Sequence, residues 1–204
     1  MHIVFLSLFL FVLIQTAPAQ NALKDCGRME KEAIKSLMNG GTIDSTGQKK
    51  YVALNREWRE CVTGKEIPPF IIKSIGGREI NSEMLRGKVV VINSWFTSCP
   101  PCIAEMPALN RLVEEYAGKD VLFLGVTHES KKQLKKNFFP KYKFDFIIIP
   151  DAQLFEDLIG ICVHPSTFII DKEGKIKTAW VGGYKGEFAY DKAKPIIDEL
   201  LKAH

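Results

Sequence analysis

The chain has 204 residues, of which 46% are hydrophobic and 25% are charged, and its formal net charge at pH 7 is +4. This length suits one domain with an appendage, and the apolar content is ordinary for a globular protein. The mild charge argues against a nucleic-acid-binding protein, because the lysines of residues 131–143 are explained as a solvated helix face and no nucleic-acid motif accompanies them.

The first part of the chain, residues 1–19, predicts a signal peptide. Residues 3–14 are apolar except for Ser7, and Ala17 and Ala19 suit cleavage after Ala19. The apolar run is shorter than the about 20 residues that a membrane-spanning helix needs. An uncleaved anchor is the alternative, since no lysine or arginine precedes the run. We therefore expect a periplasmic or otherwise extracytoplasmic protein.

Residues 20–65 predict a helical hairpin that forms an N-terminal appendage. Apolar residues recur at helical spacing on both sides of a glycine-containing loop. Cys26 lies 14 residues before Gly40, and Cys61 lies 14 residues after Gly47. Antiparallel helices of equal reach bring these two cysteines side by side, so we predict a structural Cys26–Cys61 disulfide. Free or intermolecular thiols are the alternative, because spacing never fixes connectivity.

Residues 66–204 form the main predicted domain, in which strand and helix patterns alternate. This alternation is typical of an α/β fold. Pro195 favours a start of the last helix near Lys194. The predicted strands cover residues 70–73, 78–80, 89–96, 121–127, 146–149, 166–170 and 175–180, and the predicted helices cover residues 82–85, 100–116, 130–139, 153–159 and 191–203.

The sequence Cys99-Pro100-Pro101-Cys102 joins a long apolar strand to a helix. A cysteine at a helix N-terminus lies near free N–H groups and the positive end of the helix dipole, which stabilise its thiolate. Prolines suit the first turn. This arrangement indicates a dithiol redox site. A zinc half-site is disfavoured, because the other cysteines and histidines supply no second closely spaced pair, and a non-redox disulfide is the remaining alternative.

From about residue 67 to its end, the sequence resembles the TlpA/ResA-type proteins, the extracytoplasmic thiol–disulfide oxidoreductases. The resemblance implies a thioredoxin-like fold, with a central mixed sheet flanked by helices. It rests on Arg86-Gly87-Lys88, Asn93-Ser94-Trp95-Phe96, the CPPC sequence, Glu105-Met106-Pro107 and residues 160–171.

The same resemblance implies roles for three residues of the redox site. Cys99 would be the exposed nucleophile, and Cys102 would be the buried resolving thiol. Glu105 lies one helical turn after Cys102, and on the sheet-facing side it would be desolvated and could exchange a proton with that thiol. The alternative for Glu105 is an ordinary solvent-facing position on the helix.

A substrate groove is expected around Trp95, Val163, His164 and Pro165. The match to the family implies a cis peptide between His164 and Pro165, with Val163 backbone groups free to pair with an extended chain. Trp95 is expected to pack beneath the disulfide. His164 borders the groove or is an ordinary loop residue, and Cys162 is best explained as a small core hydrophobe.

We expect the protein to reduce protein disulfides and to be reduced in turn by a membrane thiol–disulfide electron donor. No cofactor and no metal are expected. A peroxiredoxin-type peroxidase is one alternative, since residues 96–100 superficially resemble its active loop, although Thr97 stands one place too close to Cys99. A non-catalytic binding module on the same fold is the other alternative.

Overall fold

The computed structural model describes residues 17–38, 45–182 and 186–203. The apolar run of the predicted signal peptide and most of the predicted hairpin loop lie outside these residues. Among the helices of the described ranges, none combines the length and the apolar character that crossing a membrane requires.

The predicted helical hairpin is present. It consists of α1 (Ala17–Met38) and α2 (Ser45–Val62). A disulfide joins Cys26 on α1 to Cys61 on α2, with their Cα atoms 5.8 Å apart. This bond joins the two cysteines that we paired because each lies 14 residues from a glycine of the predicted loop.

The main domain is built on a five-stranded sheet in the order β5–β4–β3–β6–β7. The strands β3, β4 and β5 run parallel, whereas β6 and β7 are antiparallel additions beside β3. The predicted mixed sheet is confirmed, and β1 and β2 form a separate antiparallel pair. The strands are β1 (Ile71–Lys73), β2 (Glu79–Asn81), β3 (Val89–Ser94), β4 (Val121–Val126), β5 (Ile147–Ile149), β6 (Ser166–Ile170) and β7 (Ile176–Val181).

The predicted helices are also present, with one boundary in the wrong place. The last helix begins at Phe188, three residues before the predicted range of 191–203 and six before the start near Lys194 that the proline favoured, and Pro195 lies inside it. Ala189 and Ala193 are fully buried, so packing of the early turns against the core outweighs the local preference of the proline. The helices are a 3₁₀ helix (Ser82–Leu85), α3 (Pro100–Glu115), α4 (Lys131–Asn137), α5 (Gln153–Ile159) and α6 (Phe188–Lys202).

Strand β3 is buried on both faces, as its continuous apolar sequence predicts. Val89 and Val91 belong to one core cluster, which includes residues of α3 and α6. Val90 and Ile92 belong to a second cluster, on the opposite face of β3. The redox sequence follows the end of this central strand, and Cys99 and Cys102 pack into the first of these clusters.

The N-terminal hairpin shares the second of these cores. Leu23 and Val62 are fully buried in the same cluster as residues of β3 and β6. The ring of Trp58 meets Phe168 of β6 edge-on, with centroids 5.4 Å apart, and its indole Nε1 donates a 2.9 Å hydrogen bond to the carbonyl of Gly160. The hairpin therefore covers one face of the sheet.

Candidate active site

Cys99 is the N-cap residue of α3, and it forms a disulfide with Cys102 in the first turn. Their Cα atoms are 5.3 Å apart. Pro100 and Pro101 have no N–H group, so the first free N–H of the helix belongs to Cys102, and it donates to the Cys99 sulfur at 3.3 Å. This donor and the helix dipole both favour negative charge on that sulfur.

Both cysteines are buried in this disulfide form, with 3% of Cys99 and 1% of Cys102 exposed. The expectation of an exposed Cys99 is therefore wrong for the oxidised protein. The disulfide directs the Cys99 side chain towards Cys102, and both residues belong to the core cluster that contains Trp95 and Met106.

Glu105 lies on the sheet-facing side of α3 and is only 1% exposed. Its Oε1 atom accepts a 2.7 Å hydrogen bond from Asn93, which also donates to the Thr167 hydroxyl at 3.1 Å. Its Oε2 atom has no hydrogen-bond partner among the described residues. Burial raises the pKa of Glu105 to about 7, and the Asn93 bond opposes this shift. The solvent-facing alternative is therefore wrong.

The peptide bond between His164 and Pro165 is cis, as the family resemblance implied. Val163 and His164 are partly exposed, whereas Pro165 is buried. The carbonyl of Val163 accepts a 2.6 Å hydrogen bond from the Ser166 hydroxyl, so that one of its two lone pairs is already engaged.

Trp95 is fully buried beside the disulfide. Its ring packs against Phe138 and Phe144, with centroid distances of 4.3 and 5.7 Å. It belongs to the same core cluster as the two cysteines, and in this form it offers no surface to a substrate.

Gly182, which directly follows β7, is a site residue that no sequence pattern indicated. Its N–H donates a 2.7 Å hydrogen bond to the carbonyl of Pro165. A Cβ atom at this position would lie 2.4 Å from the Pro165 ring and 2.9 Å from Oε2 of Glu105, so only a glycine fits there. A glycine after the last predicted strand was the only available signal, and it does not reveal this contact.

Cys162 is the one free cysteine of the described residues. Its thiol lies 3.4 Å from Oε2 of Glu30 on α1 and packs against the core cluster beneath the hairpin. Burial and the neighbouring carboxylate raise the thiol pKa, and burial raises the pKa of Glu30 to about 7. This environment suits a packing role, because it disfavours the reactive thiolate.

A dithiol at a helix start, held beside a cis-proline on this sheet, defines the thioredoxin-fold class of protein. Comparison with known proteins agrees with this class. Residues 63–179, more than half of the chain, match the model of the AhpC/TSA family. The chain therefore belongs to the AhpC/TSA family and, within it, to the ResA-like thiol–disulfide oxidoreductases.

The similarity to individual proteins covers the same part of the chain. It is 34% identical to "Thiol-disulfide oxidoreductase ResA" of Bacillus thuringiensis (strain Al Hakam) over 120 residues, which are 58% of this chain and 69% of that protein. It is 31% identical to "Thioredoxin-like protein YneN" of Bacillus subtilis (strain 168) over 143 residues, which are 69% and 84% of the two chains.

A solved structure shows the same fold. The crystal structure of a thiol:disulfide interchange protein of the thioredoxin family from Chlorobium tepidum TLS matches with a TM-score of 0.54 and 24% identity, over 67% of this chain and 95% of that one. The protein is an enzyme of the thiol–disulfide oxidoreductase type. The two helices of the hairpin lie outside the residues that match the family.

Proposed function

We propose that this protein is an extracytoplasmic oxidoreductase that reduces protein disulfides by dithiol exchange through Cys99 and Cys102. The observation that carries the proposal is a disulfide closed across the start of α3, one turn before the buried carboxyl of Glu105. A nucleophile, a resolving thiol and a proton acceptor are thereby held on one helix.

In the first step, the reduced Cys99 attacks one sulfur of a substrate disulfide. The substrate S–S bond breaks, a mixed disulfide forms, and the first substrate sulfur leaves as a thiolate that takes up a proton. The N–H of Cys102, which lies 3.3 Å from the Cys99 sulfur, stabilises the attacking thiolate.

In the second step, Cys102 attacks the Cys99 sulfur and releases the second substrate thiolate. Cys102 must first lose its proton, and the unpartnered Oε2 atom of Glu105 is suited to receive it. A carboxyl with a pKa of about 7 can take up this proton near neutral pH and pass it on to the leaving thiolate. Two electrons move from the enzyme dithiol to the substrate disulfide, and a membrane dithiol donor then reduces the enzyme again.

The partly exposed segment at Val163 and His164 is proposed to bind the substrate chain. This segment directly precedes the cis-proline, and an extended peptide would pair with its backbone groups. Main-chain pairing accepts many sequences, which suits an enzyme that acts on several proteins.

The extracytoplasmic location is supported by the Cys26–Cys61 disulfide. Such structural disulfides persist in oxidising compartments and are rare in the cytosol. The apolar run of residues 3–14, followed by Ala17 and Ala19, agrees with export. N-terminal sequencing of the exported protein tests cleavage after Ala19, and retention of the run would favour a membrane anchor.

Trapping of substrates tests the proposed chemistry. In Cys102→Ala, the mixed disulfide cannot resolve, so substrates should stay linked to Cys99 and be released by dithiothreitol. The double variant Cys99→Ala/Cys102→Ala is the matched control and should trap nothing. Equal trapping by the two variants would refute the proposed nucleophile, and no turnover of any disulfide substrate would favour a binding module.

The peroxidase alternative is disfavoured by the surroundings of Thr97. Its hydroxyl donates to Oε1 of Glu129, and its backbone N–H donates to Oε2 of the same residue, both at 2.6 Å. The hydroxyl hydrogen is thereby directed at the carboxylate and not at the Cys99 sulfur. Rapid turnover of peroxide by Cys102→Ala would reverse this preference.

A further inference from the structure

Three metal-ligating side chains from separate segments converge beside the redox site. His128 follows β4, Glu156 lies on α5, and His164 precedes the cis-proline. One ligand atom from each residue lies within 4.8 Å of the other two. The ring of Phe96, three residues before Cys99, contacts both imidazoles, with centroid distances of 5.8 Å to His128 and 5.5 Å to His164.

Glu156 is the unusual member of this cluster, because only 1% of it is exposed. Its Oε1 atom lies 3.1 Å from Nε2 of His164, whereas its Oε2 atom has no hydrogen-bond partner in the part of the chain that the structure describes. A buried carboxylate oxygen without a partner is costly. A bound cation would supply the partner that this oxygen lacks.

We propose that His128, Glu156 and His164 form a binding site for a divalent transition-metal cation, and that Zn²⁺ fits it best. Two imidazoles and one carboxylate are a ligand set that Zn²⁺ accepts, with a fourth position left open. None of these ligands is a thiol, so the site does not depend on the redox chemistry proposed above.

The distances are compatible with such a cation. Zn²⁺ held tetrahedrally by bonds of about 2.0–2.2 Å places neighbouring ligand atoms about 3.3–3.6 Å apart. The distance between Oε1 of Glu156 and Nε2 of His164 is 3.1 Å, which is already close to this spacing. The ligand atom of His128 lies within 4.8 Å of the other two, and its exposed side chain is free to adjust when a cation binds.

No pattern in the sequence indicated this site, and we expected no metal. That expectation rested on the lack of a second ligand pair for the cysteines, whereas the three residues here are 28 and 8 positions apart and meet only in the fold. A simple Glu156–His164 ion pair is the competing explanation. It would leave the Oε2 atom of Glu156 without a partner among the described residues.

Calorimetric titration of the full protein with Zn²⁺ tests the site. Both disulfides are kept closed, so that their sulfurs cannot bind the metal. We expect one Zn²⁺ per chain, and at least about tenfold weaker binding by His128→Ala and by Glu156→Gln, since even outer-shell changes cost that much. The matched control is Asp157→Asn, which removes an exposed carboxylate from the same helix and should bind as the wild type does.

X-ray absorption at the zinc edge supplies the second readout. The site predicts only nitrogen and oxygen neighbours, at about 2.0–2.2 Å. Sulfur neighbours at about 2.3 Å, an absence of stoichiometric binding, or unchanged binding by both variants would overturn the site. If the buried Glu156→Gln fails to fold, the exposed His128→Ala decides the outcome alone.

Discussion

The amide of Asn93 on β3 donates a 2.7 Å hydrogen bond to the carboxyl of Glu105 on α3, and each residue is only 1% exposed. Asparagine does not titrate, so it holds the carboxyl in place without fixing its protonation state. Burial then decides that state and raises the Glu105 pKa to about 7. The strand and the helix together keep a carboxyl that gains and loses its proton near neutral pH.

The first prediction is that Glu105→Gln slows release of substrate from the mixed disulfide. A glutamine cannot accept the Cys102 proton, so we expect a loss of about 10²–10⁴-fold, the range of general-base effects. In the wild type, the rate should rise as the pH passes about 7, because only the carboxylate is a base. Stopped-flow reduction of a model disulfide measures both effects. An unchanged rate and pH profile would remove Glu105 from the mechanism.

The same substitution has a predicted effect on stability. The folded pKa of about 7 exceeds the ordinary value of 4.5, so the folded state binds more protons and loses stability as the pH rises from 4.5 to 7. Glu105→Gln removes this loss. The unfolding free energy of the oxidised variant, relative to that of the wild type, should therefore be about 3 kcal/mol greater at pH 8 than at pH 4. Urea unfolding at both pH values checks this, and an equal difference at both would contradict the assigned pKa.

The third prediction concerns the order of thiol reactivity in the reduced protein. Cys99 lies at the helix start and should react with iodoacetamide fastest at pH 7. Cys102 should react more slowly, and Cys162 slowest, because burial beside Glu30 raises its pKa. Mass spectrometry of peptides after timed labelling measures the order, with urea-unfolded protein as the control. Faster labelling of Cys102 than of Cys99 would reverse the assigned roles.

The fourth prediction is that Gly182→Ala disturbs the site from outside the redox sequence. Its methyl group would overlap the Pro165 ring and press on Glu105, at a cost of about 1–3 kcal/mol. The control is Gly76→Ala, whose methyl group would meet its nearest neighbour at 3.8 Å and should be tolerated. Thermal unfolding and the pH profile of resolution measure the two effects. Identical behaviour of both variants would refute the proposed contact.

The fifth prediction is that the hairpin disulfide contributes substantially to stability. Cys26→Ala/Cys61→Ala opens a link between residues 35 positions apart, and the chain-entropy model gives about 3–4 kcal/mol for such a loop. The control Cys99→Ala/Cys102→Ala opens a link of only three positions and should cost much less. Chemical unfolding compares them, and equal losses would contradict the loop-length argument.

Local patterns predicted the central part of this protein well. The apolar run of β3 predicts the strand. The CPPC sequence, which follows a few residues later, predicts the helix start and the redox pair. The Cys26–Cys61 pairing was predicted from the number of residues between each cysteine and the loop of the hairpin. These features depend only on how many residues separate the groups along the chain, and this number can be read directly from the sequence.

Other features depend on contacts between remote segments, which spacing does not reveal. The Glu30–Cys162 contact joins residues 132 positions apart. The burial of Glu156 and the approach of Gly182 to Glu105 also require the folded sheet. The early start of α6 follows from packing of its alanines, which outweighs the preference of Pro195. In each case, tertiary structure overrides or extends the local pattern.

The packing of Trp58 against Phe168 has a practical consequence for work with shortened forms of the protein. The family match begins at residue 63, directly after the last residue of α2 in the hairpin. A chain cut at that point would expose Phe168 of β6, which Trp58 covers, together with other apolar residues of the same core cluster, and exposed apolar patches promote self-association. The family match therefore covers fewer residues than the folded core, which includes the hairpin. Truncated or fused forms that begin at residue 63 should aggregate.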